Sequence, residues 1–161
     1  AGMPVIPHVV CGLHRGELRG EQRALEMLSA YRVEQVVLVS LMELPGVDFA
    51  ITRLPRAEEV ADLLAEARFL MPGARLSLGC ARKRGQLDME LLALEAGVNR
   101  MALPADETID RAREMGLEVR FQNTCCSVHH DYTSLTWEDV PMPAPSRQVR
   151  VPAGYEPGFP V

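Results

Sequence analysis

The chain is poor in aromatic residues and in positive charge. Phe, Trp and Tyr make up 5% of its 161 residues, and 17 Lys and Arg residues stand against 22 Asp and Glu residues, for a formal net charge of −5. So few aromatic rings do not supply a stacking platform for bases, and the acidic balance argues against the basic surface of nucleic-acid binders. We therefore expect no nucleic acid among the partners.

Long apolar runs and paired cysteines are also missing. No apolar run reaches the roughly 18 residues of a membrane span, and no signal-peptide pattern opens the chain, so no membrane association is expected. The four cysteines show neither CxxC nor CxxxCxxC spacing, which argues against a complete zinc or iron–sulfur site. Cys125 and Cys126 are adjacent, and α-carbons about 3.8 Å apart make an awkward disulfide. A reducing, cytoplasmic location is the expectation.

What the chain does contain is one repeated unit, in which a short apolar run stops at Gly, Pro or a polar residue and an amphipathic helix pattern follows. The runs are Val5–Leu13, Val36–Met42, Ala74–Cys80, Asn99–Leu103 and Leu117–Asn123. The helix patterns begin after Gly16 and then cover Arg56–Leu70, Leu87–Ala96 and Asp106–Met115. Strands that alternate with helices predict an α/β fold with a parallel sheet. A closed barrel needs eight strands and about 250 residues, so we predict a partial, half TIM-type barrel of four or five sequential parallel strands.

Composition divides the chain in two. Residues 1–127 carry the repeated unit, and an apolar content of 47% is enough for one core. Residues 128–161 hold six of the twelve prolines and are predicted to form an extended tail. The first run starts almost at Ala1, with no cap or turn before it, so we expect opening strands to precede it.

Glycines crowd the end of the first run. Gly12 and Gly16 follow the predicted strand, His14 lies between them, and Glu21 comes just after Gly20. Glycine just past a strand lets a ligand approach the backbone, and the helix N-terminus behind it can receive polar groups. A βα turn that needs positive φ explains the same glycines without any ligand. His14 lies beyond the strand end, where a role at the rim and plain solvent exposure both stay open.

The third run ends in Cys80, and the fifth is closely followed by Cys125 and Cys126. Cys80 stands two residues before Arg82, among small residues that suggest a pocket floor with an anion clamp above it. Core packing of Cys80 and a solvated turn at Arg82 are the alternatives. Cys125 and Cys126 could ligate a soft metal or an auxiliary cluster, with Cys80 as the third ligand. A redox pair and simple packing stay open for the same thiols.

Two further expectations concern residues near these strand ends. His8 lies inside the first apolar run and alternates with Val9, which favours a core histidine with satisfied nitrogens. The connection from Met42 to Pro55 is the longest, contains the turn signal Pro45-Gly46, and is predicted to fold over the rim.

Three of these segments resemble the later strands of radical S-adenosylmethionine enzymes, in particular those of the biotin synthase-like branch, including homologues linked to lipoate-type sulfur insertion (biotin/lipoyl synthase-like). They are Val5 to Glu21, then Leu41-Met42-Glu43-Leu44-Pro45-Gly46, then Leu76-Ser77-Leu78-Gly79-Cys80-Ala81-Arg82. In that family the fifth strand carries a G-x-I-x-G-x-x-E element near the adenosyl group, the sixth ends in a Pro-Gly turn, and the seventh ends in small residues and an arginine. The glycine spacing here departs from the family pattern.

The resemblance covers about residues 1–127 and implies a function. The parent enzyme would cleave S-adenosylmethionine reductively to a 5′-deoxyadenosyl radical at a 4Fe–4S cluster, whose CxxxCxxC ligands are missing from this chain. Gly12, His14, Gly16, Glu21 and Arg82 are then the implied cofactor-binding residues. The implied partners are a small-molecule substrate and a missing N-terminal half barrel or partner subunit. Alone, this chain is expected to be inactive.

Two other readings stay open. The chain also suits a small α/β binding protein or a non-radical barrel fragment, although Leu103-Pro104-Ala105-Asp106 lacks the glycines of a phosphate cradle. It equally suits a non-catalytic partner that completes the barrel of another chain.

Overall fold

Four strands and four helices alternate along the chain in a computed structural model that describes residues 5–43, 46, 51–122 and 124–128. The strands are β1 (His8–Cys11), β2 (Gln35–Ser40), β3 (Arg75–Leu78) and β4 (Arg100–Met101). The helices are α1 (Glu21–Ser29), α2 (Ala57–Leu70), α3 (Leu87–Glu95) and α4 (Asp106–Glu114). The tail predicted for 128–161 lies outside the described residues, except for Val128.

The strands form one parallel sheet in the order β1-β2-β3-β4. This confirms the predicted α/β class, the parallel pairing and the sequential order. Because parallel strands all point the same way, the carboxyl ends of β1 to β4 lie along one edge of the sheet.

The helices cover one face of the sheet in a row. Alternate strand residues such as Val36, Leu38 and Leu76 face the helices and pack with Leu25 of α1 and Leu64 of α2 in the core. Helix α1 packs on α2, α2 on α3, and α3 on α4. None of the described helices is long and apolar enough to cross a bilayer.

The face opposite the helices, which we call the inner face, contains Gln35, Val37, Val39, Ser77 and Gly79. All five are buried. A Cβ on Gly79 would stand 2.5 Å from Val39 Cγ1 and 2.8 Å from Val37 Cγ1. The strand end is therefore restricted to glycine by the packing of the inner face itself.

The predicted fifth strand is wrong for its described part, residues 117–122. Helix α4 ends in a Schellman cap, in which Gly116 has a φ of 75° and the Leu117 amide donates to the Ala112 carbonyl at 3.0 Å. This bond commits Leu117 to the helix cap. In the residues that follow, charged Glu118 and Arg120 alternate with apolar side chains. Both charged residues are exposed and form an ion pair with each other. This segment therefore does not form the buried run of a central strand.

The segment 124–128, which we call the strap, lies across the inner face. Gln35 donates from Nε2 to the Cys126 carbonyl at 2.6 Å. Arg100 donates to the Val128 carbonyl, and the Ser127 hydroxyl lies 3.3 Å from His8 Nε2. The strap is thus bonded to β1, β2 and β4, and helps to bury the inner face.

Candidate functional site

The carboxyl edge of the sheet carries two loops that hold most of the predicted site residues. The first is the β1–α1 loop, residues 12–20, and the second is the β3–α3 loop, residues 79–86. We call these loops, together with residues 51–55, the rim. Because β1 and β3 are parallel and both pair with β2, Gly12, His14, Cys80 and Arg82 belong to the same edge.

The β1–α1 loop is closed by its own hydrogen bonds. Gly12 donates its amide to Glu21 Oε1 at 2.8 Å, and Gly16 donates its amide to the Gly12 carbonyl at 2.7 Å. Both glycines have positive φ, 84° and 95°, so they permit the turn that places His14 at its tip. The Gly12 amide is therefore used to anchor α1.

Residues 51–55 cover this loop, which agrees with the predicted position of the long connection in its described part. Thr52 donates its amide to the Arg15 carbonyl at 2.9 Å. A Cβ on Gly16 would lie 1.7 Å from the Arg53 carbonyl oxygen, and one on Gly12 would lie 2.4 Å from Pro55 Cγ. The space above both glycines is filled by this chain's own residues.

Glu21, the first residue of α1, is a buried acidic residue. Its Oε2 has no hydrogen-bond partner among the described residues. Burial, and then the negative charge of Glu21, raise the pKa of the neighbouring Cys11 thiol to about 12. Cys11 is therefore a neutral core side chain, and the Glu21 carboxylate mainly holds the turn together.

Arg82 lies inside the protein and is bound to protein groups. It is 1% exposed and donates to the Gly79 carbonyl at 2.7 Å, to Glu90 Oε1 at 2.7 Å and to the Leu103 carbonyl at 3.2 Å. These bonds tie the β3–α3 loop to α3 and to the end of β4. A guanidinium engaged in this way does not reach outward as the predicted anion clamp, and its position is that of a structural cross-link.

Glu90 completes this cross-link. Its Oε2 accepts hydrogen bonds from the Ala105 amide and the Thr108 hydroxyl, both at 2.8 Å. Burial alone would raise the pKa of the Glu90 carboxyl, but the bonds from Ala105, Arg82 and Thr108 outweigh it and lower the pKa. The pair is therefore ionised and fully hydrogen-bonded.

A second ion cluster ties the two sides of the rim together. Arg53 donates to Glu17 Oε1 at 2.9 Å and to Glu59 Oε2 at 2.7 Å. Glu59 also accepts from the Arg56 amide at 2.9 Å, as the capping residue of α2. The Arg53 hydrogen bond is the main cause that lowers the Glu59 pKa from 4.5 to about 2.

This shift predicts an acid-sensitive contribution to stability. A carboxyl whose pKa is lower in the folded chain stabilises it above about pH 4.5, and the contribution is lost as the pH falls towards 2. We expect Glu59→Gln to lower the urea midpoint at pH 6 and to match the wild type near pH 2. The control is Glu58→Gln, at an exposed neighbour on α2, which should follow the wild type throughout. A Glu59→Gln deficit that persists unchanged at pH 2 would contradict this.

The three predicted metal ligands are only partly gathered. Cys80 is exposed at the rim, Cys125 is exposed on the strap, and Cys126 is half-buried. The Cys126 thiol interacts electrostatically with those of Cys80 and Cys125, and the cysteines form no disulfide. Across the described ranges, no three His, Cys, Asp or Glu side chains are placed to hold a metal ion. The thiols therefore do not fit an auxiliary cluster.

Two residues near these thiols were not anticipated as functional. His8 was predicted to be a core histidine, but it is exposed, with Nδ1 3.1 Å from the Ile6 carbonyl. The alternating pattern located β1, but the position of His8 at the start of the strand leaves its ring open to the strap. Ser127 gave no signal beyond its place two residues after Cys125.

The exposed surface at this edge of the sheet mixes charged side chains, among them Arg15, Lys83 and Arg84, with a few apolar ones. His14 is exposed, and so is Leu13 beside it, at 61%. Leu103 at the end of β4 is 65% exposed. Of the residues predicted to bind the cofactor, only His14 presents its side chain here, while the other four shape or brace the loops.

No protein-family model matches the chain, and no match was found among curated proteins or solved structures.

Proposed function

We propose that this chain is half of a (β/α) barrel of the radical S-adenosylmethionine type, related to biotin synthase-like enzymes, and forms part of the walls for S-adenosylmethionine and substrate. The observation that carries the proposal is the topology. Four parallel strands in sequential order, with helices packed in a row on one face, are the arrangement of half a singly wound barrel. A doubly wound sheet would instead reverse its strand order and carry helices on both faces.

The rim supports the second part of the proposal. Sites in such barrels lie at the carboxyl ends of the strands, and here that edge exposes Leu13, His14 and Leu103. Leu13 and Leu103 offer apolar contact area and His14 offers a polar group, a combination that suits the ring and the hydrogen-bonding atoms of an adenosyl group. The closed β1–α1 loop and the Arg82–Glu90 cross-link would hold this wall rigid.

S-adenosylmethionine and a 4Fe–4S cluster, when bound, would supply the radical chemistry. Within the described ranges the thiols do not form a ligand set for a cluster. The cluster would be held by a missing N-terminal half barrel or a partner subunit. The role left to this chain is to bind and orient S-adenosylmethionine and substrate and to exclude water from them.

The strap favours a second candidate, a non-catalytic or small-molecule-binding fragment that completes another barrel. In a catalytic barrel the inner face must admit substrate, whereas here Gln35 and Arg100 bind the strap across it. The two candidates differ in whether the rim binds S-adenosylmethionine.

The proposal predicts weak binding of S-adenosylmethionine by the chain alone. Half of a site should bind with an affinity on the order of millimolar, equivalent to about 4 kcal/mol. Saturation-transfer NMR on the ligand should show contact with the wild type and a several-fold weaker signal with His14→Ala. Gln22→Ala, at an exposed position on α1, is the matched control and should bind like the wild type. Equal signals from all three proteins would rule out a wall at His14.

A further inference from the structure

A series of hydrogen-bonded side chains connects the strap to β1. Cys125 Sγ lies 3.5 Å from the Ser127 hydroxyl, and that hydroxyl lies 3.3 Å from His8 Nε2. His8 Nδ1 lies 3.1 Å from the Ile6 carbonyl. Because a carbonyl can only accept, Nδ1 carries the ring proton, and Nε2 of the neutral ring is left as an acceptor. Ser127 therefore donates to His8, and Cys125 donates to Ser127.

We propose that Cys125 is a reactive thiol that forms mixed disulfides with small-molecule disulfides, and that its proton passes through Ser127 to His8. Nε2 of His8, left as an acceptor by the bond at Nδ1, is placed to take this proton from the Ser127 hydroxyl. Once the proton has moved, the Ser127 hydroxyl donates to the sulfur instead. This hydrogen bond is the main cause that lowers the pKa of Cys125.

The exchange needs no outside oxidant beyond the disulfide itself. The Cys125 sulfur attacks one sulfur of R–S–S–R, a Cys125–S–S–R bond forms, and the S–S bond of the reagent breaks. The thiolate R–S⁻ leaves with the bonding pair and takes up a proton, which His8 returns through solvent. Cys125 is oxidised to the mixed disulfide while one reagent sulfur is reduced to a thiol.

The other three thiols lack this arrangement. Cys11 is fully buried, with a pKa raised to about 12. Burial is also the main cause that raises the pKa of half-buried Cys126. Cys80 is exposed like Cys125 but follows the end of β3, and no hydrogen bond among the described residues joins it to Ser127 or His8. Cys80 is therefore an internal control of similar access.

The ionisable groups around Cys125 come from the elements beneath and beside the strap. His8 reaches it from β1 through Ser127, and the Cys126 thiol beside it interacts electrostatically with both Cys125 and Cys80. From β4, Arg100 donates to the Val128 carbonyl. A pH profile of Cys125 reactivity therefore reports on His8 together with these neighbours.

The test is the rate at which each cysteine reacts with hydroxyethyl disulfide, measured peptide by peptide by mass spectrometry between pH 6 and 9. At pH 7 we expect Cys125 to react at least tenfold faster than Cys80. Ser127→Ala should slow Cys125 severalfold, because its thiolate loses the hydrogen bond from the hydroxyl, and should move its profile to higher pH. His8→Gln should do the same.

Matched variants separate the relay from general damage. Ser127→Thr keeps a hydroxyl and should restore most of the rate. Cys11 should stay unreactive in every variant, which shows within the same sample that the fold is intact. Equal rates at Cys125 and Cys80, or a Cys125 rate unchanged by both Ser127→Ala and His8→Gln in a folded chain, would overturn the proposal.

Discussion

Replacing Arg82 with methionine should lower the free energy of unfolding by about 3–5 kcal/mol, the cost of removing one partner of a buried ion pair. Methionine fills a similar volume, but it leaves the Glu90 carboxylate buried without its cation. It also leaves the carbonyls of Gly79 and Leu103 without the Arg82 donor. Urea unfolding at pH 7, followed by circular dichroism, measures the loss.

Arg84→Met is the matched control for this substitution. Arg84 is an exposed residue of the same loop and also approaches the Leu103 carbonyl, at 3.4 Å. An exposed change of this kind should stay within about 0.5 kcal/mol of the wild type. If Arg82→Met were as mild as Arg84→Met, Arg82 would not be the structural cross-link described above, and the predicted anion clamp would regain support.

Gly16→Ala should be nearly as damaging. An alanine there should lower the free energy of unfolding by about 1–2 kcal/mol through the left-handed backbone and by about 1–3 kcal/mol through overpacking. The contact is with the main-chain oxygen of Arg53, 1.7 Å from the added Cβ, so no side-chain rotation relieves it. Residues 51–55 must move, which weakens the Arg53 ion cluster. Urea unfolding again gives the magnitude.

Gly85→Ala separates the two causes. Gly85 has a φ of 77°, and an added Cβ there meets nothing within 4 Å. It should lose only the backbone part, about 1–2 kcal/mol. A Gly16→Ala loss no larger than that of Gly85→Ala would mean that residues 51–55 do not pack on the β1–α1 loop.

The periodic parts of the sequence predicted the fold well. The patterns Leu87–Ala96 and Asp106–Met115 became α3 (Leu87–Glu95) and α4 (Asp106–Glu114). Gly97 and Gly116 end these helices with φ values of 83° and 75°, as the glycine stop signals indicated. Local patterns succeed here because helix caps and buried runs depend on neighbouring residues.

The rest depends on contacts between distant residues. Arg82 is followed by Lys83 and Arg84, a pattern typical of a charged surface turn. It is nevertheless buried, because Glu90 and the end of β4 come together around it. The run from Leu117 failed as a strand because the Gly116 cap takes its first residue. His8, Cys125 and Ser127 meet across 119 residues of chain, which no local pattern reveals.

The measurement that bears most directly on the proposed function is a map of backbone amide shifts in the labelled chain as S-adenosylmethionine is added. We expect the shifts to concentrate at residues 12–16 and 79–84, with little change along the outer faces of α1 to α4, and to shrink in His14→Ala. Shifts confined to the helix side of the sheet, or none at the rim at millimolar ligand, would contradict the assignment of this edge as a wall for S-adenosylmethionine.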